Sequence, residues 1–227
     1  MKFYIVNGSP RKNYNTGQLL DKTVEGIKDT LKSQVPNEEI EIERIDLYSL
    51  NYTGCKSCFL CKQKDGPFYA TCPVNDDIKG ILNDMRTCDG MILGSPIYFA
   101  DITGMLRSFI ERLCFPQYPY ADNLDITEKR MPTGIIYDMN IPEDHPDKDF
   151  YYKLFDILEG NFIERVYSKP YSLKVHFTYQ FDDYSKYVNE WFDEEEKRKR
   201  REEQFPIDLE NAYKMGVNIA TDAINKK

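Results

Sequence analysis

Phe3-Tyr4-Ile5-Val6, then Asn7-Gly8-Ser9-Pro10-Arg11-Lys12-Asn13-Tyr14-Asn15-Thr16, then a stretch carrying Leu19, Leu20, Val24, Ile27 and Leu31: this opening decides the fold. The apolar run reads as a buried strand, the polar stretch as a loop, and the aliphatic spacing as one face of a helix. A loop between a strand end and a helix start faces unpaired backbone N–H groups and the positive end of the helix dipole, so the expected guest is an anion. Ser9, Asn13, Asn15 and Thr16 add short hydroxyl and amide donors, and Arg11 adds a positive charge. A phosphate group suits that set.

Working outward, residues 2–7, 40–47, 90–94, 133–139 and 171–177 read as strands. Segments with helical spacing lie between and after them, at 16–32, 76–86, 103–113, 149–166 and 207–224. Alternating β and α elements imply parallel strands joined by right-handed helical crossovers. Met91-Ile92-Leu93 is apolar without alternation, as befits a strand covered on both faces. The expected architecture is an α/β, flavodoxin-like three-layer sandwich with a five-stranded parallel sheet in the order 2-1-3-4-5, whose ligand lies beside strands one and three. A chain of 227 residues suits one domain, 1–227, with an insertion at about 48–75 that carries four cysteines. A second long connection, 115–131, is rich in Pro and Tyr.

The net charge of −8 repels a polyphosphate backbone, which argues against nucleic acid as a partner. No apolar run approaches the roughly 18–20 residues of a membrane span, and the N-terminus shows no signal-peptide pattern, so a cytoplasmic protein is expected. The charge run 193–203 reads as a solvated helix or hinge. Cys88 and Cys114 read as packing residues, and His145 and His176 as structural, since none has a partner pattern in sequence.

Rival phosphate sites fail on the first loop. Gly8 stands alone where a dinucleotide turn needs Gly-x-Gly-x-x-Gly, and no Gly-Lys-Ser or Gly-Lys-Thr opens the helix. No cysteine stands where a thiolate phosphatase needs one. The loop therefore suits a monophosphate that is held rather than cleaved. A second loop, Gly94-Ser95-Pro96-Ile97-Tyr98-Phe99, lies beside it in this fold. Pro96 is expected to turn the chain off the strand, and Tyr98 and Phe99 then offer either flat aromatic surface or a core pair.

These residues resemble the flavodoxin-like NAD(P)H-dependent FMN reductases: Gly8-Ser9-Pro10-Arg11 with Asn15-Thr16, and Gly94-Ser95-Pro96-Ile97-Tyr98 with Gly104 and Arg107–Arg112. The resemblance covers about the first 140 residues, and departs from the family's usual Lys and Asp at Arg107 and Glu111. It implies that Ser9, Arg11, Asn15 and Thr16 hold the FMN phosphate, and that Pro96, Ile97, Tyr98 and Phe99 contact the isoalloxazine ring. It further implies NAD(P)H as co-substrate, a small-molecule or protein electron donor or acceptor, a homodimer or homotetramer, and no side chain acting as acid or base.

Cys55-Lys56-Ser57-Cys58-Phe59-Leu60-Cys61 is a C-x₂-C-x₂-C run followed at a distance by Cys72-Pro73. Bacterial ferredoxins open with the same run and place Pro after a ligating Cys. A tetrahedral Zn site would also accept four such thiols, and unmetallated thiols complete the choice. Within the flavin family the pattern resembles the iron–sulfur flavoproteins, which implies a [4Fe–4S] cluster on Cys55, Cys58, Cys61 and Cys72 near FMN. The gap before Cys72 is longer than the compact spacing of that group. Asn75 or Asp76 is the expected N-cap of the next helix. Two functions follow: an FMN-dependent oxidoreductase serving quinones, nitro compounds or free flavin, or a non-catalytic flavin-binding redox sensor or electron carrier whose cysteine loop holds Zn or free thiols.

Overall fold

The computed structural model describes residues 1–122 and 124–226. Five parallel strands form the sheet: β1 (Lys2–Asn7), β2 (Glu41–Asp46), β3 (Gly90–Tyr98), β5 (Thr133–Asp138) and β6 (Tyr171–Val175). A two-residue strand, β4 (Asp101–Ile102), pairs antiparallel with the end of β3. The order β2-β1-β3-β5-β6 is the expected doubly wound sheet. Side chains alternate across it, so the central strands β1, β3 and β5 each serve two cores. Tyr4, Val6, Met91, Leu93 and Tyr137 pack under α2 (Lys79–Met85), α3 (Gly104–Cys114) and α4 (Lys148–Leu158). Phe3, Ile5, Ile92 and Ile136 pack under α1 (Asn15–Gln34) and α7 (Phe205–Asn225).

Helices α1 and α7 cross at backbone contact, which explains two glycines. A Cβ on Gly26 would lie 2.1 Å from the Tyr213 carbonyl oxygen, and one on Gly216 2.1 Å from that of Thr23. Any larger residue would push the helices apart.

Several expectations need correction. The third strand does not end at Pro96: it pairs with β5 up to Pro96, opposite Asp138, and then runs on through Ile97 and Tyr98 because β4 folds back to pair with them. Helix α2 starts at Lys79, and neither Asn75 nor Asp76 caps it. Instead Asp76 pairs with Arg112, and the neighbouring Asp77 carboxylate accepts from the Asn51 amide at 2.7 Å, so this acidic pair anchors the cysteine segment. The expected helix over 149–166 is α4, a wide π turn (Glu159–Ile163) and a last turn, α5 (Glu164–Val166). The wide turn returns Ile163 to the buried face of Leu158, five residues earlier, a spacing an α-helix would rotate away. The charge run forms α6 (Glu194–Glu203), yet its Lys197 is fully buried. No described helix is long and apolar enough to cross a membrane.

Candidate functional site

Loop one closes on itself before it meets anything else. The Ser9 amide donates to the Asn7 side-chain oxygen at 3.0 Å, and the Arg11 amide donates to Ser9 Oγ at 3.2 Å. The loop then folds so tightly onto the first turn of α1 that a Cβ on Gly17 would lie 1.9 Å from the Lys12 carbonyl oxygen. Asn7 donates to Asp46 at 2.9 Å, which ties the loop's root to β2. The first-turn N–H groups of α1 have no intrahelical acceptor, and no acidic residue occupies that turn.

Loop two is joined to loop one by a residue sequence reasoning passed over. Thr103, fully buried, donates from Oγ1 to the Gly8 carbonyl at 2.8 Å and accepts from the Leu106 amide, so it both caps α3 and bridges the loops. Its own amide donates to Ser95 Oγ at 3.0 Å, and the Gly8 amide donates to the Gly94 carbonyl at 2.8 Å. The signal for Thr103 was available: a Thr immediately before a helical apolar pattern is a favoured N-cap.

Pro96 and Ile97 are half-buried along the strand, whereas Tyr98 is exposed and Phe99 wholly so, at 105%. Phe99 and Ala100 form the β3–β4 turn with φ of 51° and 66°. Positive φ at both positions is the signature of the hairpin turn that favours Asn-Gly, so a bulky aromatic here goes against local preference. The salt bridge from Arg107 to Asp101 at 2.5 Å holds the hairpin against α3. Partial burial and the nearby Tyr48 raise the Tyr98 hydroxyl pKa, and the Arg11 charge opposes them.

The other loop-one residues have partners from later in the chain. Arg11 stacks 3.9 Å from the Tyr14 ring and donates to the Gln180 carbonyl at 2.6 Å. The Asn15 amide nitrogen donates to the Tyr179 carbonyl at 2.8 Å, and its oxygen accepts from Arg201 at 3.0 Å. Thr16 donates to the buried Asp138 carboxylate at 2.8 Å. Burial raises the Asp138 pKa, against the hydrogen bond from Thr16 and the charge of Arg11; its second oxygen lacks a partner, the nearby Thr178 hydroxyl going to the Met139 carbonyl at 3.2 Å. The segment between β6 and α7 is thus a strap across loop one, and neither it nor Asp138 was legible in sequence as part of this site. Lys197 fastens the strap: Nζ donates to the Thr178 carbonyl at 2.8 Å and to Asn140, beneath the rings of Phe177 and Phe192.

All six cysteines are free. Cys55, Cys58, Cys61 and Cys72 line one small cavity with Pro73, Glu111, Arg112 and Phe115. Ser57 and Phe59, one inside each C-x₂-C step, have positive φ, which curls the run around the cavity. The long gap folds back on itself: the Ala70 amide donates to the Cys61 carbonyl at 3.0 Å and returns the chain so that Cys72 meets the others. Arg112 Nε donates to Cys72 Sγ at 3.3 Å, and Glu111 accepts from the Cys55 amide at 3.1 Å. Burial raises the Cys61 thiol pKa; nearby Lys62 lowers it and the other three thiols raise it further. Among the described residues no three His, Cys, Asp or Glu groups stand close enough to hold a metal ion. Cys88 and Cys114 are buried elsewhere with pKa values pushed up to about 12 by desolvation. His176 is buried against the Tyr152 hydroxyl at 2.8 Å.

Donors at 9–16 and a flat exposed ledge at 98–99, on the same edge of the sheet, fit a ligand with a phosphate at one end and a planar ring at the other. Residues 1–126 match the family described as NADPH-dependent FMN reductase. An iron–sulfur flavoprotein of Methanocaldococcus jannaschii is 34% identical over 112 residues, 49% of this chain and 51% of that protein. One from Archaeoglobus fulgidus is 33% identical over 112 residues, 49% and 48% of the two chains. The chain thus spans about half the length of the curated relatives it matches. Among solved structures, an NAD(P)H:quinone oxidoreductase from Methanothermobacter marburgensis superposes with a TM-score of 0.65 at 15% identity, covering 96% of both chains. An azoreductase from Bacillus anthracis gives a TM-score of 0.65 at 12% identity, covering 96% of this chain and 99% of its own. At these identities the likeness speaks for the fold.

Proposed function

The chain belongs to the NADPH-dependent FMN reductase family, and from that premise we propose an FMN-dependent oxidoreductase that moves electrons between NAD(P)H or a protein donor and a small acceptor such as a quinone, nitro compound or free flavin. The chemistry FMN supplies when bound is hydride acceptance with release of electrons singly or in pairs. The protein's part is position and electrostatics. Ser9, Arg11, Asn15 and Thr16 hold the phosphate end, with the first-turn N–H groups of α1 behind them. Pro96, Ile97, Tyr98 and Phe99 support the ring and shield one face from water. No side chain takes or gives a proton. Thr103 carries the reading: it fixes the phosphate loop and the aromatic ledge as one rigid unit.

The same proposal places a [4Fe–4S] cluster on Cys55, Cys58, Cys61 and Cys72. Supporting it are the shared cavity, the two left-handed residues inside the C-x₂-C steps, the bond that brings Cys72 back, and the names of the relatives. The protein is read as a cytoplasmic homodimer or homotetramer that covers the exposed ledge. The deciding experiment is the absorption spectrum of anaerobically purified protein, with iron, sulfide and zinc assayed on the same sample. Flavin bands with iron and sulfide are expected. Absence of flavin even after incubation with FMN would sink the whole reading, while flavin with zinc and no iron would sink the cluster alone. Flavin without NAD(P)H turnover on any acceptor would favour the redox sensor.

A further inference from the structure

Arginines in this protein usually sit on a carboxylate: Arg44 on Asp21, Arg86 on Glu128, Arg107 on Asp101, Arg112 on Asp76 and Arg200 on Asp208. Two that do not, among the described residues, meet at the start of α1. Arg11 rests on a carbonyl and a tyrosine ring. Arg201 donates one nitrogen to Asn15 Oδ1 at 3.0 Å and another to Gln18 Oε1 at 2.6 Å, with its guanidinium 3.9 Å from the Phe205 ring. Partners three residues apart on the first turn of the helix, plus the ring of Phe205, hold this side chain in place.

The charge arrangement is the reverse of what an isolated helix prefers. A helix N-terminus favours anions, yet α1 has no acid in its first turn and two unpaired cations beside it. Arg201 is half-buried, and desolvation together with Arg200 pulls its pKa down, against Tyr14 and Asp138. The nearby carboxyl, Asp138, is already held by Thr16, and burial favours its neutral form. An arginine partly stripped of water and fixed at a positive helix end is unfavourable alone and favourable beside a dianion.

We propose that Arg201, carried by the strap from the far end of the chain, is a phosphate-positioning residue of the cofactor site: it clamps Asn15 and supplies the second positive charge facing the phosphate of FMN. The assignment rests on the FMN reading and adds to it a residue outside the stretch that matches the family. It also gives the strap a purpose, since the segment that delivers Arg201 also receives Arg11 and Asn15 on its carbonyls at Gln180 and Tyr179.

The test separates the phosphate from the rest of the ligand. FMN and riboflavin share ring and ribityl chain and differ in the phosphate, so the ratio of their dissociation constants, read by quenching of flavin fluorescence on apo-protein, isolates phosphate recognition. In Arg201→Gln the FMN constant is expected to rise about tenfold or more while the riboflavin constant stays put. Arg201→Lys, which keeps the charge and loses the fork, should fall between, and serves alone if the glutamine variant does not fold. An unchanged FMN-to-riboflavin ratio in the variants, or equal weakening of both ligands, overturns the assignment of Arg201. Failure of the wild-type protein to bind FMN, or to prefer it over riboflavin, would instead overturn the reading of the loop itself.

Discussion

Replacing Phe99-Ala100 by Asn-Gly should stabilise the protein and weaken its hold on flavin. Both residues have positive φ, 51° and 66°, and a side chain in that region costs roughly 1–2 kcal/mol per residue. Phe99 is wholly exposed, so its removal forfeits no packing. Asn tolerates the conformation and Gly is free in it, although Gly returns about 0.5–1 kcal/mol through the unfolded state. The net gain is about 1–2 kcal/mol. Urea unfolding of the apo-protein is the assay; with a slope of about 3 kcal/mol per M, the midpoint should move up by roughly 0.3–0.7 M. In the same variant, loss of the Phe99 face should raise the FMN dissociation constant about fivefold, in line with roughly 1 kcal/mol for an aromatic contact. A midpoint that falls or stays fixed would show that the turn is not strained. Unchanged FMN binding would show that the ledge is not a flavin platform.

Thr103→Val removes the bond to Gly8 and the cap of α3 and should cost about 2–4 kcal/mol by thermal or urea unfolding, while Thr103→Ser keeps both bonds and should lose far less. Alanine at Cys55, Cys58, Cys61 or Cys72 should abolish iron content while leaving FMN bound; alanine at Cys88 or Cys114, neither of which lines that cavity, should leave iron unchanged. Lys197 has a folded pKa of about 7, lowered by desolvation, against roughly 10.4 unfolded. The unfolded chain then holds the extra proton between those values, so stability should rise with pH across that window, and Lys197→Met should flatten the rise. The difference between the two proteins is the quantity to plot, because the raised thiols of Cys88 and Cys114 work in the opposite direction above pH 9.

What sequence could reveal follows the range of the interactions involved. The strand order, the two-core helices and the convergence of residues 8–16 with 94–99 were legible because alternation and helical spacing are local patterns with few topological solutions. Thr103 was missed although its capping role is local, because its second bond, to Gly8, spans a long stretch of chain. The end of β3 was misplaced because a proline rule for isolated turns met a short returning strand, β4, that keeps Ile97 and Tyr98 paired. Asp76 carried a capping signal but went to Arg112 instead. Lys197 and Arg201 hid inside a run whose composition reads as solvated surface. Burial of a charge depends on what folds over it, and that is a long-range fact.

The strap has a consequence for the order in which the molecule can be made. The loop at residues 8–16 is made well before its partners: Asn15 waits for Arg201, 186 positions later, and α1 waits for α7 to cover its apolar face. The nascent chain therefore carries an open hydrophobic flank and an unfinished loop until those partners emerge. Its closing contacts are the most distant in sequence, and such contacts form slowly. A ribosome stalled before residue 200 would present a sheet that can begin to fold but lacks the contacts from Arg201 and α7 that complete this loop.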